Sequence, residues 1–260
     1  MAEPYDADNE LASLGPLTDD HLLDGRVNLA QPVNGYRAAI DPVLLAAFVP
    51  ARAGERVLEL GAGAGAASLC LAARVPGVCV EGLEQDAATV ALARANAGRN
   101  AFQPVPLFHL GDVARPPAHV LGDLGLFDHA FANPPFMEAL AATAPADARR
   151  AAAHVEGTAG LGLWVASLVR SVRHRGSISL IHRADRLDGL LAAFDRQVGG
   201  IVILPLWPKA GRPAKRVLVQ AVKGSRAALT LSPGLVLHEA DGRFTAAADA
   251  ILRGATKLSA

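Results

Sequence analysis

The sequence predicts an α/β fold: a mostly parallel, seven-stranded sheet with an antiparallel edge hairpin and helices on both faces. Short runs rich in Val, Ile, Leu and Phe alternate with segments of helical period along most of the 260 residues. Such alternation indicates a parallel sheet, because a parallel connection needs a crossover long enough to hold a helix. Only a short loop separates the last two runs, which predicts that they pair antiparallel.

Seven apolar runs are the predicted strands. In chain order they are RVLEL (56–60), GVCVEGLE (77–84), VPLFHLGD (105–112), LFDHAFANPP (126–135), GSISLIH (176–182), IVILPLW (201–207) and RVLVQAV (216–222). Helical period predicts helices in AASLCLAARV, in DAATVALARANAGRN, which should end near Gly98, and in LGLWVASLVRSVRH.

Composition excludes several classes of protein. The chain is 51% hydrophobic and 19% charged with zero formal net charge, which argues against a surface that is basic all over. Its two cysteines form no CxxC pair and its eight histidines show no ligand spacing, so neither disulfides nor a metal site is predicted. Since the sequence shows neither a membrane-spanning run nor a basic leader, we expect a cytoplasmic protein. We expect it to be a monomer or a homodimer.

Four features fall at predicted strand ends, where parallel α/β sheets bind ligands. The first is LELGAGAGA (58–66), where Gly61, Gly63 and Gly65 allow a tight turn and close approach of a ligand, with Glu59 beside them. This glycine pattern alone is weak evidence for a particular cofactor. It also fits the G-x-G-x-x-A dinucleotide pattern, and a turn that serves only strand-to-helix packing.

Glu84 and Asp112 end the next two predicted strands. Glu84 follows the glycines at a spacing where a carboxylate accepts hydrogen bonds from ribose hydroxyls, although a solvated acid explains Glu84 alone equally well. Asp112 is placed to accept from the exocyclic amine of an adenine, although such an aspartate is more often a helix N-cap.

The fourth feature, FANPPFMEAL (131–140), distinguishes between chemistries. Pro134 and Pro135 stiffen the strand exit and donate no backbone hydrogen bond, so the segment presents acceptors. If the Asn133 side-chain oxygen and the Pro134 carbonyl each accept an N–H from a ring amine, its lone pair turns toward a methyl donor. Phe136 then stacks on the ring. A nicotinamide enzyme has no use for this segment; the structural alternative is a rigid turn with a core Phe.

The chain resembles the class I S-adenosylmethionine-dependent methyltransferases in the order and spacing of four motifs: LELGAGAG, GLEQD, the GD at 111–112 and NPPF. Segments 24–50 and 207–220 are similar to those of the TrmN6-like family, which methylates N6 of adenine 37 in valine tRNA. The resemblance covers roughly residues 18–255 and implies a Rossmann-like fold, S-adenosyl-L-methionine as cofactor and tRNA as substrate.

The resemblance also implies individual roles: the glycines for methionine, Glu84 for ribose, Asp112 for adenine. The predicted cofactor-binding residues are Glu59, Gly61, Gly63, Gly65, Glu84, Gln85, Asp112 and Asn133, and the predicted catalytic residues are Asn133, Pro134 and Phe136. Phe136 stands where many adenine enzymes have Tyr. Guanine-N2 methylation of rRNA and glutamine-N5 methylation of a protein therefore stay open, with a non-catalytic binding module and a nicotinamide oxidoreductase less favoured.

Basic residues late in the chain predict a contact with RNA. The loop KAGRPAKR carries the predicted substrate-binding cations Lys209, Arg212, Lys215 and Arg216, although a charge run is more often a solvated face. RR at 149–150 and RHR at 173–175 are further candidates. Earlier in the chain, Asp41 is predicted to cap a helix or contact the cofactor, and Tyr36 and Arg37 to close over the pocket or pack against it.

One methyltransferase domain is expected to occupy residues 21–260. Within it, 21–53 is a lid segment, 54–224 the catalytic core, and 225–260 a C-terminal strand and helix of structural role. Residues 1–20 are acidic and interrupted by Pro and Gly, which predicts a partly mobile N-terminal segment.

Overall fold

A computed structural model describes residues 7–34, 37–117, 120, 126–135 and 160–258. The first half of the described chain contains α1 (Ala7–Ser13), β1 (Leu17–Leu22), β2 (Val27–Pro32), α2 (Ile40–Phe48), β3 (Arg56–Leu60), α3 (Ala66–Arg74), β4 (Cys79–Glu84), α4 (Ala87–Gly98), β5 (Leu107–Leu110) and β6 (Phe127–Ala132). The second half contains α5 (Leu161–Ser171), β7 (Val172–Arg183), a 3-10 turn (Ala184–Arg186), α6 (Leu187–Ala193), β8 (Val198–Lys209), β9 (Arg216–Lys223), β10 (Thr230–Leu231), β11 (Leu235–His238) and α7 (Ala246–Leu252).

One large sheet organises these elements. Its strand order is β10-β8-β9-β7-β6-β3-β4-β5, with β11 also pairing with β8. Strands β7, β6, β3, β4 and β5 are parallel, whereas β9 runs antiparallel to both β7 and β8. Alternate residues of β3 face two different cores: Val57 packs with α2 and α3, and Leu58 and Leu60 pack with α5. The predicted fold class, with helices on both faces, is therefore confirmed.

Two details of the predicted sheet are wrong. The described sheet has nine strands rather than seven, and the β8–β9 hairpin does not form its edge. Both β10 and β11 pair with β8 in parallel on its outer side. β10 is only two exposed residues long, too short for a hydrophobic pattern to predict.

Strands β1 and β2 form a separate hairpin. β1 overlaps the end of the segment 1–20, which the sequence predicts to be partly mobile, and β2 follows that segment. Asn96 on α4 completes the edge of β2: the Ala30 N–H donates to its side-chain oxygen at 2.8 Å, and its NH2 donates to the Ala30 carbonyl at 2.9 Å. Asn100, one turn later, makes the same pair of bonds with Asn28. Asn96 also donates to the Ala64 carbonyl at 3.0 Å, which ties the hairpin to the glycine turn.

We expect Asn96→Ala to lower the free energy of unfolding by about 2–4 kcal/mol, because it leaves several buried backbone groups without partners. Arg99→Ala is the matched control. Arg99 joins the same helix to Asp19 of the same hairpin through an exposed ion pair, which contributes below about 1 kcal/mol. Urea unfolding measures both, and equal effects would contradict the role given to Asn96.

Within the described residues, no helix has both the length and the apolar character needed to span a membrane.

Candidate functional site

The strand order reverses between β3 and β6, because β3 leads to β4 and β5 on one side while β6 leads to β7 on the other. In such sheets, ligands bind beyond the carboxyl ends of the strands at this switch point. Leu60, the last residue of β3, lies opposite Leu83 of β4 and Ala132 of β6. Three strands therefore end side by side at the same level.

The four predicted features follow these strand ends in spatial order. Asp112 follows β5, Glu84 ends β4, the glycine turn begins at Gly61 after β3, and Asn133 follows β6. Neighbouring strands lie about 4.8 Å apart, so the row extends over about 14 Å. The structure thus brings together four features that lie up to 72 positions apart in the sequence.

The glycine turn has a left-handed backbone at each of its three glycines, with φ of 69° at Gly61, 55° at Gly63 and 88° at Gly65. Other residues rarely adopt this conformation. A Cβ on Gly61 would lie 2.6 Å from the Trp164 ring, and one on Gly65 2.8 Å from the Phe108 ring, so packing explains part of the pattern. No atom of the described chain lies within 4 Å of a Cβ built on Gly63, so the turn is open there.

Glu84 already accepts three backbone hydrogen bonds, from Gly63 at 3.0 Å, Gln85 at 2.8 Å and Asp86 at 3.0 Å. Burial raises the pKa of Glu84, and these three bonds oppose that rise. A carboxylate has about four acceptor positions, so about one is left for a ligand. If Glu84 is to accept from both ribose hydroxyls, as predicted, one hydroxyl must share an acceptor position with a backbone N–H or displace it.

Asp112 is exposed, and its side-chain oxygen accepts from the Ala114 N–H at 2.8 Å. This bond closes a local turn. The helix N-cap that the sequence offers as the alternative is wrong, because no helix begins within residues 113–117. The next residue, Val113, accepts at its carbonyl from the Ser167 hydroxyl at 2.7 Å, which anchors the segment to α5.

The diproline corner follows β6 directly. Pro134 is buried, whereas Asn133 and Pro135 are half-buried. Since Ala132 is paired with Leu60, Asn133 and Gly61 leave the sheet side by side. Phe136 lies outside the described residues, as do both residues of the RR pair.

Comparison with known proteins places this geometry in a family. The methyltransferase small domain model matches residues 39–157. A tRNA1(Val) (adenine(37)-N6)-methyltransferase of Porphyromonas gingivalis is 31% identical over 64% of this chain and 66% of its own length, just under two thirds. Its counterpart from Aeromonas hydrophila is 26% identical over 80% of this chain and 85% of its own.

A crystal structure from Agrobacterium tumefaciens, described as a predicted O-methyltransferase, is 30% identical to the chain with a TM-score of 0.70. The match covers 85% of this chain and 99% of that one. The chain belongs to the class I S-adenosylmethionine-dependent methyltransferases. The resemblance to the TrmN6-like family is thereby confirmed.

The described residues of this methyltransferase fit S-adenosylmethionine. The cofactor carries adenine, ribose and methionine in that order, and Asp112, Glu84 and the glycine turn follow one another in the same order along the sheet edge. The open space at Gly63 gives the turn room for a ligand against its backbone.

Glu59 lies beneath the turn rather than on its open side. It is only 3% exposed, and one of its oxygens accepts from the Ser68 N–H at 3.0 Å and from the Ser68 hydroxyl at 2.5 Å. Burial raises the pKa of Glu59 to about 8, while the Ser68 bonds oppose the rise and the Glu84 charge adds to it. Because these contacts hold α3 against β3, a direct contact of Glu59 with the cofactor stays a prediction.

The basic loop lies at the same end of the sheet as the site. β8 ends there at Lys209 and β9 begins there at Arg216, opposite Arg183 of β7. Lys209 donates to the Ala240 carbonyl at 2.8 Å, so it also anchors the loop. The RHR segment at 173–175 lies at the opposite end, where β7 starts, so it does not form one cluster with this loop.

Two predictions for the lid segment are corrected or refined. Helix α2 begins at Ile40 and no side chain caps it; Asp41 lies in its first turn and accepts from the Arg216 Nε at 3.2 Å. Arg37 is bonded to the β1–β2 hairpin, since it donates to Asp20 at 2.6 Å and Thr18 at 2.7 Å. Tyr36 lies outside the described residues.

Asn96 and Trp164 contact the glycine turn and are absent from the predicted site. Each lies in a segment that the pattern predicts only as a helix. No motif marks either residue, because its contact is with a distant part of the chain.

We expect the stability of Glu59→Gln relative to the wild type to improve as pH rises. Glu59 has an ordinary pKa of 4.5 in the unfolded chain and about 8 in the folded protein. Its contribution to stability is therefore complete below about pH 4.5 and is lost as pH rises to about 8. Each unit of pKa difference corresponds to about 1.4 kcal/mol, so the change should reach a few kcal/mol.

Urea unfolding of both proteins near the two ends of this pH range measures the effect. Glu239→Gln, at an exposed glutamate, is the control. A difference between Glu59→Gln and wild type that stays constant with pH would contradict this account.

Proposed function

We propose that this methyltransferase transfers a methyl group from S-adenosylmethionine to the exocyclic N6 amine of an adenine in tRNA. The observation that carries the proposal is that Asn133 leaves β6 beside Gly61 at the switch point. Acceptor oxygens on a proline-stiffened corner then lie next to the methionine end of the cofactor site. The names of the tRNA adenine-N6 methyltransferases described above support tRNA as the substrate.

The amine is activated by position. Its lone pair is delocalised into the ring, so it attacks poorly until its two N–H groups are held. We assign the Asn133 side-chain oxygen and the Pro134 carbonyl to accept one N–H each, and Phe136 to stack on the ring.

The bound cofactor supplies a methyl group on a sulfonium. With the cofactor bound, the N–C bond would form as the S–C bond breaks, and S-adenosylhomocysteine would be the leaving group. The Asn133 and Pro134 oxygens would hold the two N–H groups, and the surplus proton would pass from the nitrogen to solvent. Positioning of this kind supplies a large share of the rate, and no strong base is required.

The paired acceptors favour an amine over a hydroxyl. A hydroxyl has one hydrogen and satisfies only one of the two oxygens. The other then loses a partner in a partly buried site, at a cost of about 1–3 kcal/mol. O-methylation, named for the Agrobacterium structure, is therefore disfavoured here. Guanine N2 and the glutamine side-chain amide are also NH2 groups, so the product must be identified chemically.

We expect Asn133→Ala to reduce N6-methyladenosine formation by about a hundredfold or more, in line with the loss of one positioned hydrogen bond in other enzymes. Because we assign the Asn133 side chain to the target amine rather than to the cofactor, the affinity of this variant for S-adenosylhomocysteine should stay nearly unchanged. The assay uses tRNA with isotope-labelled methyl donor, followed by mass spectrometry of nucleosides and calorimetry of the free protein.

Gln197→Ala removes an exposed amide at the opposite end of the sheet and should leave both quantities intact. Equal loss of activity and cofactor affinity in Asn133→Ala would contradict the catalytic assignment. Label in N2-methylguanosine or in a protein glutamine would contradict the substrate.

We propose that Arg212 and Lys215 contact tRNA phosphates, since neither side chain has a partner among the described residues and both lie in the loop at the site's end of the sheet. Replacing both by Gln should lower the slope of log affinity against log salt by about 1.4–1.8. Arg226→Gln, beyond β9 at the far end, is the matched control. A slope equal to that of the wild type would remove this loop from the binding surface.

A further inference from the structure

Helix α5 contacts both ends of the cofactor row. The outer edge of the Trp164 ring lies against the glycine turn: a Cβ on Gly61 would lie 2.6 Å from its Cη2 and 3.0 Å from its Cζ3. One turn later, the buried hydroxyl of Ser167 donates to the Val113 carbonyl, next to Asp112. Helix α5 therefore contacts the site directly, in addition to packing on the sheet.

The indole N–H of Trp164 has no acceptor within the described part of the chain, although the side chain is only 7% exposed. Buried indole N–H groups usually find a partner, and an unsatisfied one is costly. The atoms that meet Gly61 belong to the six-membered ring, and the donor lies on the five-membered ring of the same indole, so it lies about one ring width from the glycine turn. A ligand bound there is a ready source of the missing acceptor.

We propose that Trp164 is a positioning residue whose indole N–H donates to the carboxylate of the methionine part of the cofactor. The inference rests on the proposed cofactor site. Of the two charged groups in that part of the cofactor, the ammonium only donates hydrogen bonds and the carboxylate only accepts them. A tryptophan donor therefore selects the carboxylate. The same contact fixes the carboxylate relative to Gly61, which the ring edge already holds in place.

Binding of two ligands distinguishes a hydrogen bond from the Trp164 N–H to the carboxylate from a purely packing role of the Trp164 ring. S-adenosylhomocysteine has the amino-acid carboxylate, whereas 5′-methylthioadenosine has the same nucleoside and sulfur without it. Trp164→Phe keeps an aromatic ring and loses the N–H. We expect it to weaken S-adenosylhomocysteine about tenfold, as for one hydrogen bond to a charged group, and to leave 5′-methylthioadenosine unchanged. Calorimetry of the full chain measures both.

Val165→Ala is the matched control, because Val165 is a neighbouring core residue of α5 and is 1% exposed. It should lower stability without changing the affinity ratio of the two ligands. A loss of affinity in Trp164→Phe that is equal for both ligands, or absent for both, would overturn the inference. Failure of the wild type to bind S-adenosylhomocysteine would instead overturn the cofactor site itself.

A second measurement keeps Trp164 in place. The chain has two tryptophans, so Trp207→Phe leaves Trp164 as the single emitter. We expect S-adenosylhomocysteine to change its emission much more than 5′-methylthioadenosine does, because only the former reaches the indole N–H. Equal changes with the two ligands would count against the carboxylate contact.

Discussion

The parallel register of β3 between β4 and β6 is the constraint on which the site depends. The pairing of Leu60 with Leu83 and Ala132 makes three chain segments leave the sheet at one level. A slip of one residue would turn every side chain of β3 to the opposite face. That slip is prevented because Val57 is buried in one core while Leu58 and Leu60 are buried in the other. The hydrophobic pattern of five residues thus fixes where the glycine turn begins.

The glycine turn is held from three directions, which explains how a segment of small residues keeps one shape. Trp164 packs on Gly61, Asn96 donates to the Ala64 carbonyl, and Glu59 binds the first turn of α3 just beyond. A site whose geometry is fixed before the ligand arrives loses less conformational entropy on binding. The three contacts come from both faces of the sheet, so the turn's shape depends on the whole domain.

The central strands and the site motifs can be predicted from the local sequence pattern. The other features depend on contacts between residues far apart in the chain, which the local sequence pattern does not show. RVLEL matches β3 residue for residue, and the strand-end motifs meet as a parallel sheet requires. The β1–β2 hairpin escapes prediction because β1 is half-exposed and polar, and side-chain amides of α4 complete the edge of β2. The cap, one of the two roles predicted for Asp41, is wrong, and its actual partner, Arg216, could not be predicted because it lies 175 positions away.

The central claim is that cofactor and target amine meet where β3 and β6 end. The most direct measurement is a crystal structure of the protein with S-adenosylhomocysteine and adenosine monophosphate. We expect the adenine N6 to lie within hydrogen-bond distance of the Asn133 side-chain oxygen and the Pro134 carbonyl, with the cofactor sulfur facing the nitrogen from the Gly61 side. A structure in which these two oxygens bond only to the protein, with the adenine elsewhere, would contradict the account.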